Sequence, residues 1–228
     1  MKLLPYFFLL VSFQLLAETD FEKAEKLFQL QKLEQAKLLF ESYLKDNPNN
    51  FKTIEYLGDI AGQQKKWDEA IKYYSILKVK FPKTADYWYK FGGAMGMKAK
   101  SVNKFKALGM INEIENSFLI ASKLDIKHIP SRWALVMLYI ELPGIIGGSE
   151  NKAAKYANEL MVLSKVDGYL SKGYIDEYFN RYKNAESNYI KAYEIGNSKT
   201  TFLKLYNLYF NKLKDKTKAS NLKEQFEK

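Results

Sequence analysis

Residues 50–84 read NFKTIEYLGDIAGQQKKWDEAIKYYSILKVKFPKT, and this stretch decides the fold. Small residues at Gly58 and Ala70 lie on either side of a polar turn, and they let two helices approach each other closely. Tyr74 follows Ala70 at helical spacing and can fill the gap between the helices. Pro82 ends the second helix, because a ring nitrogen without a hydrogen cannot extend it. The stretch therefore predicts a closed helical hairpin.

The same columns of small and aromatic residues recur along the chain at a period of about 34 residues. Pro48 precedes Pro82 by one such period, since 82 − 48 = 34. Upstream, the columns hold Ala24, Leu27, Ala36, Phe40 and Tyr43, and downstream they hold Trp88, Phe91, Gly92, Phe118, Ala121, Leu124, Leu135, Val136, Tyr139, Ala153, Ala157, Leu160, Tyr169, Gly173, Ala185, Tyr189, Ala192, Tyr206, Phe210 and Ala219.

This pattern resembles the tetratricopeptide repeat, a helix–turn–helix unit with a Leu-Gly pair and a closing proline. The resemblance covers about residues 18–228 and implies an all-α fold, a right-handed α-solenoid of tetratricopeptide-like hairpins in a single domain. The predicted units are about 18–50, 51–84, 85–128, 129–165, 166–199 and 200–228.

The first residues have the layout of a secretory signal peptide. Lys2 precedes an apolar run from Leu3 to Leu16, and Ala17 follows. This run is shorter than the ~20 residues that span a bilayer as a helix. We therefore expect a signal peptide over 1–17 and an exported chain, periplasmic or secreted. The absence of cysteine excludes a lipoprotein. Both cleavage after Ala17 and retention of the segment as an anchor stay open.

Composition argues against catalysis. Without cysteine, the chain has no disulfide, no thiolate nucleophile and no cysteine metal site. Its single histidine, His128, precedes Ile-Pro at a repeat junction, where a helix cap is expected. The acidic pairs Glu113 with Glu115 and Asp176 with Glu177 are too close in sequence to share a helix face. We expect no enzymatic activity, no cofactor and no metal.

The formal charge of +10 is compatible with nucleic acid, acidic proteins, an anionic membrane or a merely lysine-rich composition. The lysines are spread along every predicted hairpin, and the arginines are few, Arg132 and Arg181. Nucleic-acid binding would require clustered basic residues interleaved with aromatic ones, so we expect no nucleic-acid partner.

A first insertion, residues 92–112, adds about ten residues to the third unit. Two interpretations stay open. In the first interpretation, the apolar residues pack on their own repeat and the lysines face water. Alternatively, the segment is a basic amphipathic element that contacts an anionic membrane weakly. The apolar stripe comprises Val102, Phe105, Leu108 and Ile111, and the lysines of the proposed contact are Lys98, Lys100, Lys104 and Lys106.

A second insertion, LPGIIGGS at 142–149, interrupts the fourth unit. No strand precedes it and no Gly-Lys-Ser/Thr follows, so a structural turn is favoured over a phosphate-binding loop. Pro143 ends a helix, the glycines supply positive φ, and Ser149 caps the next helix. Ile145 and Ile146 are expected to tuck under the turn. The structural-loop residues are Pro143, Gly144, Gly147, Gly148 and Ser149.

The same motif resembles a group of exported bacterial tetratricopeptide proteins that carry a PG-x-x-GG-S loop. A more distant resemblance is to the T component of tripartite (TRAP) transporters, a helical-repeat protein thought to dock a solute-binding partner. The repeat array, the predicted signal peptide and the lack of a catalytic set favour an exported scaffold or adaptor that binds a protein or peptide along its concave face. The alternative is a periplasmic small-ligand or lipid-binding accessory protein.

The concave face of such a solenoid is lined by the first helix of each unit. The repeat phase places charged residues of the second unit there, followed by aromatic and apolar residues of later units. The candidate groove residues are Lys52, Glu55, Asp59, Tyr89, Gly93, Trp133, Met137, Ile140, Tyr174 and Tyr178. The partner and the oligomeric state cannot be read from the sequence.

Overall fold

The computed structural model describes residues 19–227, so the predicted signal peptide at 1–17 lies outside the described residues. Helices account for nearly all of the described chain. They are α1 (Asp20–Gln29), α2 (Leu33–Asp46), α3 (Phe51–Gln63), α4 (Trp67–Lys80), α5 (Ala85–Ser101), α6 (Lys104–Leu124), α7 (Ile129–Glu141), α8 (Glu150–Leu163), α9 (Lys165–Tyr178), α10 (Tyr182–Gly196), α11 (Lys199–Asn207) and α12 (Lys216–Phe226).

The twelve helices pack as consecutive antiparallel hairpins, each against the next, and residues 19–227 contain no strand. The predicted fold class, an all-α solenoid of tetratricopeptide-like hairpins, is therefore confirmed. A short 3₁₀ turn, Gly144–Ile146, separates α7 from α8, and a π-helical segment, Leu208–Leu213, joins α11 to α12.

Side-chain caps define where most hairpins begin. Thr19 forms a capping box with Glu22 at the start of α1, and Asn50 accepts a hydrogen bond from the Thr53 amide at the start of α3. Caps of this kind satisfy amides that a helix leaves without partners in its first turn. The side chains that cap later helices are Asn103, His128, Ser149, Ser164, Ser198 and Asp215.

The turn inside a regular hairpin depends on one left-handed residue. Gln31, Lys65 and Asn180 all have φ of 58° and occupy the same place in the α1–α2, α3–α4 and α9–α10 turns. In the α5–α6 hairpin the insertion lengthens both helices, which only Val102 and Asn103 connect, whereas in the α7–α8 hairpin it replaces the turn with the longer connection 142–149. The insertions therefore change the hairpin tips and leave the packed part of the stack intact.

The core is continuous along the stack because neighbouring hairpins share side chains. Trp133 on α7 packs against both the central and the C-terminal clusters of buried residues, and its indole nitrogen donates to Asp167 Oδ1 at 2.7 Å. Among residues 19–227, no helix has the length and apolar character needed to cross a membrane.

Candidate functional site

The two insertions meet at one edge of the solenoid and enclose an apolar groove of about 920 Å³. The floor of the groove is formed by α3, α5 and α7, each of which is the first helix of its hairpin. The N-terminal half of α6 forms one wall, and the loop after α7 forms the other wall. The lining residues are Gly62, Trp67, Tyr74, Tyr89, Lys90, Gly93, Ala94, Gly96, Met97, Ala99, Lys100, Lys104, Ala107, Leu108, Ile111, Ile114, Phe118, Ala134, Met137, Leu138, Glu141, Leu142, Pro143, Ile145 and Ile146.

The first wall exists because α5 and α6 are the longest helices among those described, with 17 and 21 residues. Asn103 fixes the turn between them, since its side chain accepts a hydrogen bond from the Lys106 amide at 3.0 Å. Lys100, at the end of α5, forms a 2.6 Å ion pair with Glu141 at the end of α7. This ion pair joins the lengthened hairpin to the helix that leads into the second insertion.

The second wall is held by backbone geometry. Gly147 has a φ of 105°, which favours glycine, and a side chain on Gly148 would collide with the Leu142 carbonyl oxygen. The Ser149 amide donates to the Tyr139 carbonyl at 2.8 Å, and the Ser149 hydroxyl caps α8 by accepting from the Lys152 amide. The helix α7 ends at Glu141, two residues before Pro143, and Ser149 is the N-cap of α8.

The expectation that both isoleucines tuck under this turn is wrong. Ile146 lines the groove, but Ile145 is 95% exposed at the edge of the groove. The turn is closed by hydrogen bonds from the backbone amides of Ile146 and Gly148 to the Pro143 carbonyl.

The groove floor contains glycines that face empty space. A Cβ built on Gly93 would meet nothing within 4 Å, and one on Gly96 would meet only Ile114 at 3.9 Å. The neighbouring Gly92 is different, because its Cβ would lie 2.9 Å from the Ser117 Cβ. Gly92 is therefore required by helix packing, whereas Gly93 and Gly96 keep the groove deep.

Beside the apolar part of the groove lies an ion-pair network. Lys90 is 2.8 Å from both Glu55 and Asp59, and the Tyr74 hydroxyl donates to Asp59 at 2.7 Å. Burial alone would raise the pKa of Glu55, but the hydrogen bonds and charges of Lys90 and Lys52 outweigh it and hold that pKa below its usual value. Burial and the nearby Asp59 carboxylate raise the pKa of Tyr74 well above its usual range.

The structure brings three of the predicted groove residues together: Tyr89, Gly93 and Met137 all line the groove. Glu55 and Asp59 lie at its edge and are engaged by Lys90. Lys52 is exposed and pairs with Glu55 at 3.2 Å.

Four predicted residues lie elsewhere. Ile140 is only 3% exposed and belongs to the core. Trp133 packs between α7 and α9, as described above. Tyr174 donates to Glu141 at 3.1 Å, and Tyr178 is exposed beside Phe179, so neither lines the groove.

The sequence did not indicate Trp67, Leu108 and Ile111 as groove residues, although the two insertions that complete the groove were both recognisable. Of the stripe predicted in the first insertion, Phe105 is 88% exposed and Leu108 is 44% exposed, whereas Val102 and Ile111 are partly buried, so only part of the stripe packs against the fold. Of the lysines, Lys98 pairs with Asp68 and Lys100 with Glu141. Within residues 19–227 no ion pair involves the remaining two, Lys104 and Lys106.

The residues weighed for catalysis serve structural roles. His128 caps α7, since its Nδ1 accepts from the Ser131 amide at 3.1 Å, and its Nε2 lies 3.0 Å from Asp86. The acidic residues of the two sequence pairs are each engaged: Glu113 by Lys78, Glu115 by Tyr139, Asp176 by Arg181 and Glu177 by Tyr189. In the part of the chain that the structure describes, no cluster of His, Asp and Glu is arranged to hold a metal ion.

No protein-family model and no curated protein matches the sequence. Several solved structures, however, are similar to the structure of this chain. TTC0263, a tetratricopeptide protein of Thermus thermophilus, is 15% identical with a TM-score of 0.67, over 84% of this chain and 97% of that one. PilW, a type IV pilus biogenesis factor, is 14% identical with a TM-score of 0.66, over 90% of both chains. YrrB, a tetratricopeptide protein with an unusual peptide-binding site, is 14% identical with a TM-score of 0.54, over 80% and 87%. These similarities place the fold among tetratricopeptide solenoids.

Proposed function

We propose that this chain is an exported, non-enzymatic scaffold that binds an apolar segment of a partner protein or peptide in the groove between its two insertions. The observation that carries the proposal is the groove itself, which is about 920 Å³ in volume and lined almost entirely by apolar side chains. Clefts of this size and character are typical binding sites.

The chemistry of the lining favours a helical segment over an extended one. Every backbone amide and carbonyl of a buried extended peptide needs a hydrogen-bond partner. Tyr74 donates to Asp59 and Lys100 pairs with Glu141. The polar groups of the lining that remain without a partner among the described residues, the Trp67 indole N–H, the Tyr89 hydroxyl and Lys104, are too few to pair with the whole backbone of an extended segment. A helix satisfies its own backbone and presents one apolar face, so it is the form of peptide that this lining accommodates.

The glycines of the floor support a role in binding. A glycine inside a helix destabilises it by about 1 kcal/mol relative to alanine. Gly93 lies in the interior of α5, and its position makes no packing demand, because an added methyl group would meet nothing within 4 Å. The space that it leaves is open to an occupant.

The side chains around this space are of the kind that dominate binding interfaces. Trp67 and Tyr89 offer large aromatic surfaces, and Met97 and Met137 are 44% and 40% exposed. Aromatic residues are enriched among interface residues with large energetic effects, and methionine adapts its shape to different apolar partners. The peptide-binding site for which YrrB is described lends this assignment support from a protein of the same fold.

Export is proposed from the sequence of 1–17 alone. We propose the exported location on this basis. We also retain as proposals the relationship to exported proteins with a PG-x-x-GG-S loop and the distant relationship to the TRAP transporter T component.

Site-specific photo-crosslinking tests the proposal. Benzoylphenylalanine replaces Met137 in the groove or, as the control, Val162 on α8, which is 86% exposed. In cells that express the chain naturally, we expect a discrete protein adduct from position 137 and none from position 162. Mass spectrometry of the adduct should identify a segment with apolar residues at helical spacing. Equal adducts from both positions, or none from 137, would exclude the groove as the binding site.

A small apolar or lipid-like ligand is the second candidate. The observation that favours it is the same scarcity of free hydrogen-bonding groups in the lining, which suits an acyl chain as well as a helix. Extraction of the purified protein with organic solvent followed by mass spectrometry distinguishes the two. A stoichiometric acyl compound that Gly93→Leu displaces would favour the ligand over the protein segment.

A further inference from the structure

Two large apolar side chains protrude from the edge of the groove. Phe105, in the first turn of α6, is 88% exposed, and Ile145, in the loop after α7, is 95% exposed. Leu108 lies one turn after Phe105 and is 44% exposed. Single exposed apolar residues are common on protein surfaces, but a group of them at one edge indicates a contact surface.

These residues come from different insertions and lie at the same edge of the fold. The Lys100–Glu141 ion pair of 2.6 Å joins the end of α5 to the end of α7, immediately before each of the two connections. Leu108 and Ile145 both line the mouth of the groove. Both insertions are therefore needed to form this edge, and the packing of α5 and α6 against α7 brings them together.

The charges at this edge are positive and unneutralised. Lys104 and Lys106 flank Phe105, and neither forms an ion pair within the described chain. Both lie at the N-terminal end of α6, where the helix dipole disfavours cations, and this first turn contains no acidic residue. Helix stability therefore does not account for these lysines, whereas an anionic partner would.

We propose that this edge, which comprises Lys104, Phe105, Lys106, Leu108 and Ile145, docks the solenoid onto the surface of an anionic lipid bilayer. Phe105 and Ile145 enter the interfacial layer, while Lys104 and Lys106 contact headgroup phosphates. This arrangement of apolar and basic residues is the one that binds anionic membrane surfaces. Docking in this way turns the mouth of the groove toward the membrane, and it does not depend on what the groove binds.

The charge pattern favours lipid over a second copy of the chain. A symmetric dimer through this edge would bring Lys104 and Lys106 of one copy toward the same residues of the other, with no acid to separate them. A bilayer also accepts protruding side chains without a complementary pocket, which suits Phe105 and Ile145 because they protrude from separate segments.

The absence of cysteine permits a local test in the full chain. A single cysteine at Phe105 or Ile145 carries the fluorophore NBD, and the control label replaces Val162. Vesicles contain phosphatidylcholine alone or with 30% phosphatidylglycerol. We expect the labels at 105 and 145 to brighten and shift to the blue only with phosphatidylglycerol, and the label at 162 to stay unchanged. This readout separates docking at the edge from any binding through residues 1–17.

The lysines are tested in the same assay. Lys104→Gln with Lys106→Gln should weaken the response at 145 by about 25-fold, since each lysine near an anionic surface contributes roughly fivefold. Gly93→Leu, which fills the groove, should leave the response intact. No change at 105 and 145, equal changes with both vesicle types, an equal change at 162, or a concentration-dependent change without vesicles would each overturn the proposal, the last by indicating self-association.

Discussion

Gly58 on α3 lies directly against the ring of Tyr74 on α4, so that a Cβ built on Gly58 would come within 2.7 Å of Tyr74 Cε1. The same contact recurs between Gly173 and Tyr189, where the distance would be 2.4 Å. Both pairs are 16 residues apart, since 74 − 58 = 16 and 189 − 173 = 16. This close approach is the contact that the repeat preserves along the stack.

Gly58→Ala is expected to lower the free energy of unfolding by about 1–3 kcal/mol, the usual result of overpacking. Displacing the Tyr74 ring would cost packing and a hydrogen bond, because Tyr74 is 6% exposed and its hydroxyl donates to Asp59. Gly93→Ala and Gly109→Ala should instead stabilise by up to about 1 kcal/mol, since their Cβ atoms meet nothing within 4 Å. Urea unfolding followed by circular dichroism distinguishes these outcomes, and a Gly58→Ala variant as stable as the parent would contradict the packing account.

Lys90→Met should destabilise the protein by about 1–3 kcal/mol, because it leaves the partly buried Asp59 without a cation and Glu55 with only the exposed Lys52. The side chains of Lys90, Glu55 and Asp59 are 25%, 16% and 26% exposed. Lys83→Met is the control, because Lys83 is exposed and no ion pair within residues 19–227 involves it. Thermal unfolding of the two variants at pH 7 makes the comparison, and equal stabilities would show that the network contributes nothing.

Arg132→Met should destabilise the protein by about 3–5 kcal/mol, because it leaves three carbonyl oxygens without this donor and Glu159 without its cation. The Arg132 side chain is 7% exposed, pairs with Glu159 at 2.9 Å and donates to the carbonyls of Ser122, Asp125 and His128. The matched control is Arg181→Met, since Arg181 is 38% exposed, and it should cost about 1 kcal/mol or less. Denaturant unfolding compares them, and a reversed order would refute the assignment.

Alkaline pH is expected to destabilise the fold. Burial, with a neighbouring carboxylate in each case, raises the pKa of Tyr74, Tyr139, Tyr174 and Tyr189 above the usual value near 10. Since the unfolded chain then loses these protons first, stability is fully present below about pH 10 and declines as the pH rises further. Tyrosinate absorbance at 295 nm should show a group of tyrosines that ionise only together with the loss of helical circular dichroism. Ionisation of all tyrosines near pH 10 in the folded protein would contradict this.

The hairpins could be predicted from sequence because their determinants are local. Gly58, Ala70, Tyr74 and Pro82 specify two close helices and a stop within one short stretch, and the cap at Ser149 follows from side-chain chemistry. These features depend on neighbours in the chain, so the period of the repeat is enough to place them.

The groove could not be predicted in the same way. Trp67 and Ile145 line it from positions 78 residues apart (145 − 67), and they meet only after three hairpins have stacked. Met137 and Ile140 are three residues apart on one helix, yet they are 40% and 3% exposed. Which of these neighbouring positions is covered depends on how α7 packs on its neighbours, and periodicity alone does not determine that packing.

The most direct test of the groove as the binding site combines crosslinking from position 137 with a change in groove depth. Gly93→Leu fills the floor, while Gly109→Leu adds the same side chain on α6 at a position that also meets nothing within 4 Å and does not line the groove. We expect the adduct to fall by about tenfold or more with Gly93→Leu, a loss of about 1.4 kcal/mol of binding, and to persist with Gly109→Leu. Equal adduct yields in the two variants would contradict it.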